Sequence, residues 1–256
     1  MILAVVNNKG GVGKTTCTVN LAHALAIKGK RVLVIDNDPQ SNASALLLGD
    51  STPEINIYNL YTDDKVKVES CIYPTSYGLD ILPNVTKTAE IEFDLYQNKG
   101  SYNILKDSCR KYCDKNYDFI LVDCPPTLGL WVAQAMILAD AVIVPVEAGS
   151  RHSLDGLKSV YDSVQIMSNK VNTKLKFLRA IINKVDMRTS VSKLIVETMH
   201  RKYPNNTFVT TIPMNTSIQQ AEAYRTTVLR HDSACASSKR FKSLADELIG
   251  IVDVKN

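Results

Sequence analysis

The sequence predicts an α/β fold: a doubly wound, mostly parallel sheet flanked by helices. Two observations carry that prediction. Apolar, β-branched runs recur along the chain with helical stretches between them, and near-continuous apolar strands alternating with helices belong to a parallel sheet covered on both faces. The first run, Ile2-Leu3-Ala4-Val5-Val6, leads straight into the glycine-rich stretch Lys9-Gly10-Gly11-Val12-Gly13-Lys14-Thr15-Thr16 and then a helical stretch, the order of a phosphate-binding unit. At 256 residues, one domain spanning the chain accommodates this plan and a large core.

Each element has its own reason. Ile2–Asn7 is the first strand, apolar up to the edge of the glycines, and Lys14–Lys28 is the helix that the loop feeds. Arg31–Asp36 is the second strand, stopped by Pro39. Gly49–Asp64 is polar and is expected to loop with short helical turns. Leu79–Leu82 is a short strand, Gly100–Cys113 a helix, and Phe119–Asp123 an apolar strand ending in one acid. Leu128–Leu138, Ser153–Lys170 and Ser190–Lys202 read as helices around the apolar strands Ala141–Val146 and Phe177–Asn183. Phe208–Ile212 is expected as the last strand, followed by a short helix at Ser217–Ala223. In the final helix, Ser237–Val252, apolar residues at Phe241, Leu244, Ala245, Leu248, Ile249 and Val252 follow helical spacing and make one apolar face. Ligands of such sheets bind at the carboxyl ends of the strands, and the motifs lie there.

The general phosphate-loop pattern is G-x-x-x-x-G-K-[ST]. Its first glycine would fall on Asn8, so the stretch Asn8–Thr15 is a variant with Gly10 and Gly11 displaced into the loop. Glycines let backbone N–H groups turn inward around an anion, and the helix from Lys14 points its positive end at the same anion. Lys14 supplies a point charge for the outer phosphates, and Thr15 a hydroxyl for Mg²⁺. With the additional Lys9, the run K-G-G-V-G-K-T-T resembles the deviant Walker A loop of the ParA/MinD ATPases. The resemblance implies an ATP- and Mg²⁺-binding P-loop fold in which Lys9 reaches across a homodimer interface to the partner's nucleotide. Asn8 stands where that family usually has Gln, another amide.

Further motifs extend the resemblance. Asp36-Asn37-Asp38-Pro39-Gln40 places two acids at a strand end and resembles the family's first switch. This implies that Asp36 lies near the Mg²⁺ water shell and that Asp38 orients the attacking water. Phe119–Asp123 fits a Walker B strand, with Asp123 holding a Mg²⁺-bound water, and Pro125-Pro126-Thr127-Leu128-Gly129 resembles the second switch. In Ile182-Asn183-Lys184-Val185-Asp186, Asn183 occupies the position that holds adenine, since an amide offers both a donor and an acceptor. N-K-x-D also occurs in GTPases, but the following Asp186-Met187-Arg188 matches the ParA branch, so ATP is favoured. Pro213-Met214-Asn215 resembles the loop that closes over the base. The stretch Ala141–Leu157 resembles P-V-x-P-x-x-x-S-L-x-G-L. The segment Ile212–Leu248 resembles I-P-x-N-x-x-I-x-E-A…Y-x-x-L-A-x-E-L, with Phe241 where Tyr is usual. Similarity thus covers Ile2 to about Leu248.

Composition narrows the class. Hydrophobic residues make up 45% and charged residues 22%, ordinary for a globular protein, and no apolar run approaches a membrane span. The apolar start reads as a strand and not a signal peptide, so a cytoplasmic location is expected. The six cysteines form no C-x-x-C pair and are expected to be scattered buried thiols, which counts against the cluster-bridging relatives of the superfamily. Net charge is +4, yet Arg188–Lys242 carries nine basic and three acidic residues, +6 against −2 for the rest. That asymmetry suggests a surface for a polyanion.

ParA-type members bind DNA without sequence preference to move plasmids, chromosomes or protein cargos. MinD-type members attach to membranes through an amphipathic helix after the fold. The apolar face of the last helix is expected to pack on the core, and only Asp253-Val254-Lys255-Asn256 follows it, so a ParA-like partition ATPase is expected and a MinD-like membrane regulator is the alternative. A metabolic P-loop enzyme would need a substrate domain that is not seen. The chain starts at its first strand, so no helix-turn-helix extension and no operator preference are expected. Lys and Arg to DNA phosphates suffice. The resemblance places Arg225, Lys239, Arg240 and Lys242 on that DNA-facing patch and implies a nucleoid-associated homodimer stimulated by a ParB-like cargo adaptor.

Overall fold

The computed structural model describes residues 1–51, 53–149 and 152–253. In chain order the elements are β1 (Ile2–Val5), α1 (Lys14–Ile27), β2 (Val32–Asp36), α2 (Asn42–Leu48), α3 (Ile57–Thr62), β3 (Tyr73–Pro74), β4 (Asp80–Leu82), α4 (Glu92–Gln97), α5 (Ile104–Asn116), β5 (Phe119–Asp123), α6 (Leu130–Leu138), β6 (Ala141–Glu147), α7 (His152–Lys170), β7 (Lys176–Asn183), α8 (Ser190–Lys202), α9 (Thr216–Ala223), α10 (Val228–His231) and α11 (Ala236–Asp253). The strands form one sheet in the order β3-β4-β2-β5-β1-β6-β7. All neighbours are parallel except β3, which runs antiparallel to β4.

Alternation along the strands sorts side chains into two cores. Ile2, Ala4, Leu33, Ile35, Ile120 and Val122 face one side, where α3, α5, α6, α7 and α8 pack. Leu3, Val32, Val34, Phe119, Leu121 and Ile143 face the other, covered by α1, α2 and α9 to α11. The doubly wound plan is therefore present, and both faces of β1, β2 and β5 are buried. The apolar stripe of α11 is used in this packing: Phe241, Leu244, Ala245 and Leu248 are fully buried in the second core. Cys17, Cys71, Cys109, Cys113 and Cys124 are buried thiols and Cys235 is half-buried; burial, with nearby carboxylates adding, pushes Cys17 and Cys113 up to about 12.

The structure corrects several expectations. Phe208–Ile212 is not a strand. Isolated bridges flank it, Thr207 to Ala180 of β7 and Pro213 to Val185, and its end residues Phe208 and Ile212 donate their N–H groups to Ala180 O and Ile182 O (both 2.9 Å). Between them the Glu247 carboxylate takes the N–H of Thr210 (2.9 Å), which would continue the ladder, and that of Val209 (2.8 Å). The helix expected over Gly100–Cys113 begins at Ile104, after a 3₁₀ turn over Lys99–Asn103 that the Asn98 side chain caps through Gly100 N–H. The short elements α2, α4, α10 and β3 have too few residues for a periodic pattern to stand out in the sequence. The Gly49–Asp64 stretch holds α3, closed by a capping box between Asn56 and Asn59. In the motif over 141–157, Ser150 and Arg151 lie outside the described residues, as do 254–256 of the tail.

Candidate functional site

The site begins with strand ends. β2 and β5 run in register so that Asp36 stands beside Asp123, and β1 delivers Val5 to the other side of Asp123. The loop after β1 turns through Gly11 (φ +74°) and Gly13 (φ +88°), left-handed backbone that glycine adopts without strain. Gly13 starts α1 with no side-chain cap, so the first-turn N–H groups of that helix open onto solvent as an anion site. The Asn183 side chain, at the end of β7, donates to Val12 O at 2.9 Å. It leaves so little room that a Cβ on Gly13 would lie 2.3 Å from its Nδ2. Lys184 adds a second clamp, with Nζ donating to Gly11 O at 2.6 Å. Behind the loop, Gly156 of α7 lets the helix close on Asn7 and Asn8, whose amide oxygens would be 3.1 Å from a Cβ there.

A cavity of 510 Å³ opens above this loop. Gly10, Gly11, Gly13, Lys14, Thr15, Thr16, Asp38, Asn183 and Pro213 line it. Lys14 is buried and its Nζ donates to Lys9 O at 3.1 Å; burial lowers its pKa, against the pull of Asp123. Thr15 Oγ1 donates to Asp123 Oδ2 at 2.7 Å, and Thr18 Oγ1 to Asp123 Oδ1 at 3.2 Å. Asp38 sits at the rim, accepting from Gln40 N at 2.9 Å, and burial raises its pKa.

Two of the expected metal residues lie behind the wall. Asp36 and Asp123 are fully buried and do not line the cavity. Burial lifts both carboxyls well above the usual range, and for Asp123 the adjacent Asp36 adds to the shift. Asp36 is held by Ser44, whose N–H (2.8 Å) and hydroxyl (2.6 Å) both donate to Oδ2. Val12 is buried within its own loop. Lys9 does not line the cavity itself; its Nζ makes a 3.5 Å ion pair with Glu147, a wall residue at the end of β6. Asp186 grips Arg188 through two 2.8 Å contacts and is not on the cavity wall. This leaves it poorly placed for the guanine-reading role of a GTPase aspartate.

The basic third of the chain does not form one surface. Lys193, Arg201 and Lys202 ride on α8, against the first core, whereas Arg225, Arg230, Lys239, Arg240 and Lys242 belong to α9–α11 against the second. Lys239 and Arg240 are exposed, Lys242 half-buried. Arg225, in a left-handed conformation (φ +49°), pairs with Asp50 at 2.6 Å. Arg230 lies 5.1 Å over the Tyr77 ring. Residues not singled out from sequence include Glu147, Ser44, Gln40, Asn42 and Glu222. Gln40 and Glu147 lie within quoted motifs that assign them no role; folding brings Gln40, Asn42, Glu147 and Glu222 to the cavity and sets Ser44 against Asp36 behind it.

A family profile described as an AAA domain matches residues 1–177. Over 248 residues the chain is 32% identical to the sporulation initiation inhibitor protein Soj of Bacillus subtilis, covering 96% of this chain and 97% of Soj. Over 250 residues it is 31% identical to the chromosome partitioning protein ParA of Caulobacter vibrioides, covering 97% and 93%. Among solved structures, cobyrinic acid a,c-diamide synthase from Mycobacterium smegmatis with bound ADP and magnesium aligns with a TM-score of 0.76 and 30% identity, over 88% of this chain and 90% of that one.

Proposed function

The chain belongs to the ParA/Soj family of partition ATPases, and on that premise we propose that it is an ATP-dependent DNA partition ATPase. Two copies close over two ATP–Mg²⁺, the dimer binds DNA without sequence preference, and a ParB-like protein on the cargo stimulates hydrolysis and release. The protein works in the cytoplasm on the nucleoid. The observation that carries this reading is the convergence of Lys14, Thr15 and Asp38 on one cavity floored by an uncapped helix N-terminus.

The residues fit the nucleotide and the metal. Lys14 and the N–H groups of Gly11 to Thr16 offer positive charge and donors to phosphates. Thr15 gives its hydroxyl proton to Asp123, which leaves the oxygen lone pairs for a cation. Asp36 and Asp123 place two buried carboxyls behind that position, and a cation there would favour their ionised form against the effect of burial. Mg²⁺, when bound, neutralises charge developing on the transferred phosphoryl group. Asp38 orients the attacking water, Lys9 leaves Glu147 to reach the partner's phosphates, and Asn183 and Pro213 border the adenine. Arg225, Lys239, Arg240 and Lys242 contact DNA phosphates.

The membrane-regulator alternative finds less support. Its attachment would need a free apolar helix face, and that of α11 is buried in the core. Among the described residues no helix is long and apolar enough to cross a membrane. A gel shift on random-sequence DNA, run beside liposome pelleting with and without ATP, tests the choice. ATP-dependent, salt-sensitive DNA binding without lipid binding is expected. Pelleting with liposomes and no shift of DNA would overturn it.

A further inference from the structure

Between the nucleotide cavity and Arg225 lies an unclaimed carboxylate. Thr16 Oγ1, inside the phosphate loop, donates to Glu222 Oε1 at 2.5 Å. Glu222 is in the last turn of α9 and lines the nucleotide cavity. Three residues later Arg225 closes the turn, its N–H donating to Glu222 O at 3.0 Å. Its guanidinium meets Asp50, just beyond the end of α2, whose first residue Asn42 also lines the cavity. A second cavity of 420 Å³, bordered by Thr15, Asn42, Leu46, Glu222 and Arg225, lies in the space between.

We propose that Glu222 is the nucleotide sensor that couples the phosphate loop to Arg225. The idea rests on the partition-ATPase reading and supplies a device for it. In this structure Glu222 takes the Thr16 hydroxyl. A phosphate in the loop claims that hydroxyl and places like charge beside the carboxylate, so Glu222 must leave. The backbone bond from Arg225 to Glu222 carries the displacement three residues on, and Arg225 moves off Asp50. The Arg225–Asp50 pair is exposed and by itself shifts an equilibrium by about fivefold at most. The charge facing the phosphate site is therefore the main lever, and Asp50 a secondary one.

Four variants of the full chain test this: Glu222→Gln, which keeps an acceptor and removes the charge, Asp50→Asn, Arg225→Ala, and Glu222→Gln combined with Arg225→Ala. Calorimetry reads ATP–Mg²⁺ affinity. Gel shifts on random-sequence DNA, with and without a non-hydrolysable ATP analogue, read the coupling ratio. Glu222→Gln should tighten ATP by about fivefold or more and lower the coupling ratio by a similar factor, because coupling free energy is reciprocal. Asp50→Asn should raise nucleotide-free DNA affinity. In the Arg225→Ala background, Glu222→Gln should still tighten ATP and should no longer change the ratio. ATP affinity within twofold of wild type in Glu222→Gln, or an unchanged coupling ratio, overturns the proposal. If the wild-type chain binds no DNA in any state, the partition reading fails on its own. The ATP arm then decides here, together with amide exchange at Arg225–Val228: ATP must alter that exchange in wild type and not in Glu222→Gln, and any other pattern overturns the sensor.

Discussion

Replacing Gly13 by Ala tests the loop geometry with a side chain of one carbon. Two penalties add. Gly13 holds φ at +88°, a left-handed conformation that costs an L-residue about 1–2 kcal/mol. The new Cβ would also sit 2.3 Å from Asn183 Nδ2, so Asn183 must swing away and lose its bond to Val12 O, about 1 kcal/mol more. Together these make about 2–3 kcal/mol, and a loop that relaxes to relieve them misaims its N–H groups. The expected outcome is a loss of ATP–Mg²⁺ affinity of roughly 50-fold, read by calorimetry, with any unrelieved part appearing as a lowered Tm. Gly10 is the internal control. Its φ is outside the left-handed region and a Cβ there meets nothing within 4 Å, so Gly10→Ala should change affinity by less than about threefold. A Gly13→Ala protein with wild-type affinity and Tm, or a Gly10→Ala protein equally damaged, would refute the reasoning.

Other outcomes follow from the same site. Lys14→Ala should abolish ATP binding in calorimetry, whereas Lys9→Ala should keep binding and lose ATP-induced dimers by light scattering; normal dimers with normal turnover would remove Lys9 from the interface. Asp38→Ala should trap an ATP-bound dimer that stays on DNA, and wild-type turnover in that variant would contradict its role. Neutralising Lys239, Arg240 and Lys242 together should weaken binding equally for all DNA sequences and flatten its salt dependence; retention of the wild-type salt slope would count against them. His23 predicts a pH effect on stability. Burial against Tyr77 and beside Thr227, then Arg230 and Lys242, lowers its pKa to about 4. The unfolded chain binds a proton near pH 6.5 that the folded chain refuses. The contribution is therefore present above pH 6.5 and lost as pH falls toward 4. His23→Gln should flatten the Tm–pH curve in that window, and an unaltered curve would sink the assignment.

Much of the site was legible because its information is local. Phe119–Asp123 is five buried residues on two covered faces, so its apolar run and terminal acid coincide with the strand itself. The order β1, glycine loop, α1 fits a single stretch of chain, and Ser190–Lys202 is a helix with the bounds its periodicity predicts. Asn183 reaches the cavity as the last residue of β7, whereas Pro213 is brought there by its bridge to Val185, just beyond that strand end.

What the sequence by itself determined is the alternation of elements, the phosphate loop and the strand-end acids, since strand and helix periodicity and loop chemistry depend on neighbours within a few residues. The tertiary structure alone decided the contacts that cross the chain. Glu247 removes Phe208–Ile212 from the sheet from 37 and 38 residues away. Glu222 finds Thr16 across 206 residues, Asp50 finds Arg225 across 175, and the basic third divides between opposite faces of the sheet. The physical reason is common to all four. Each depends on how α8, α9 and α11 lie over the sheet, and that placement is set by interdigitation of two cores, which no local pattern of residues encodes.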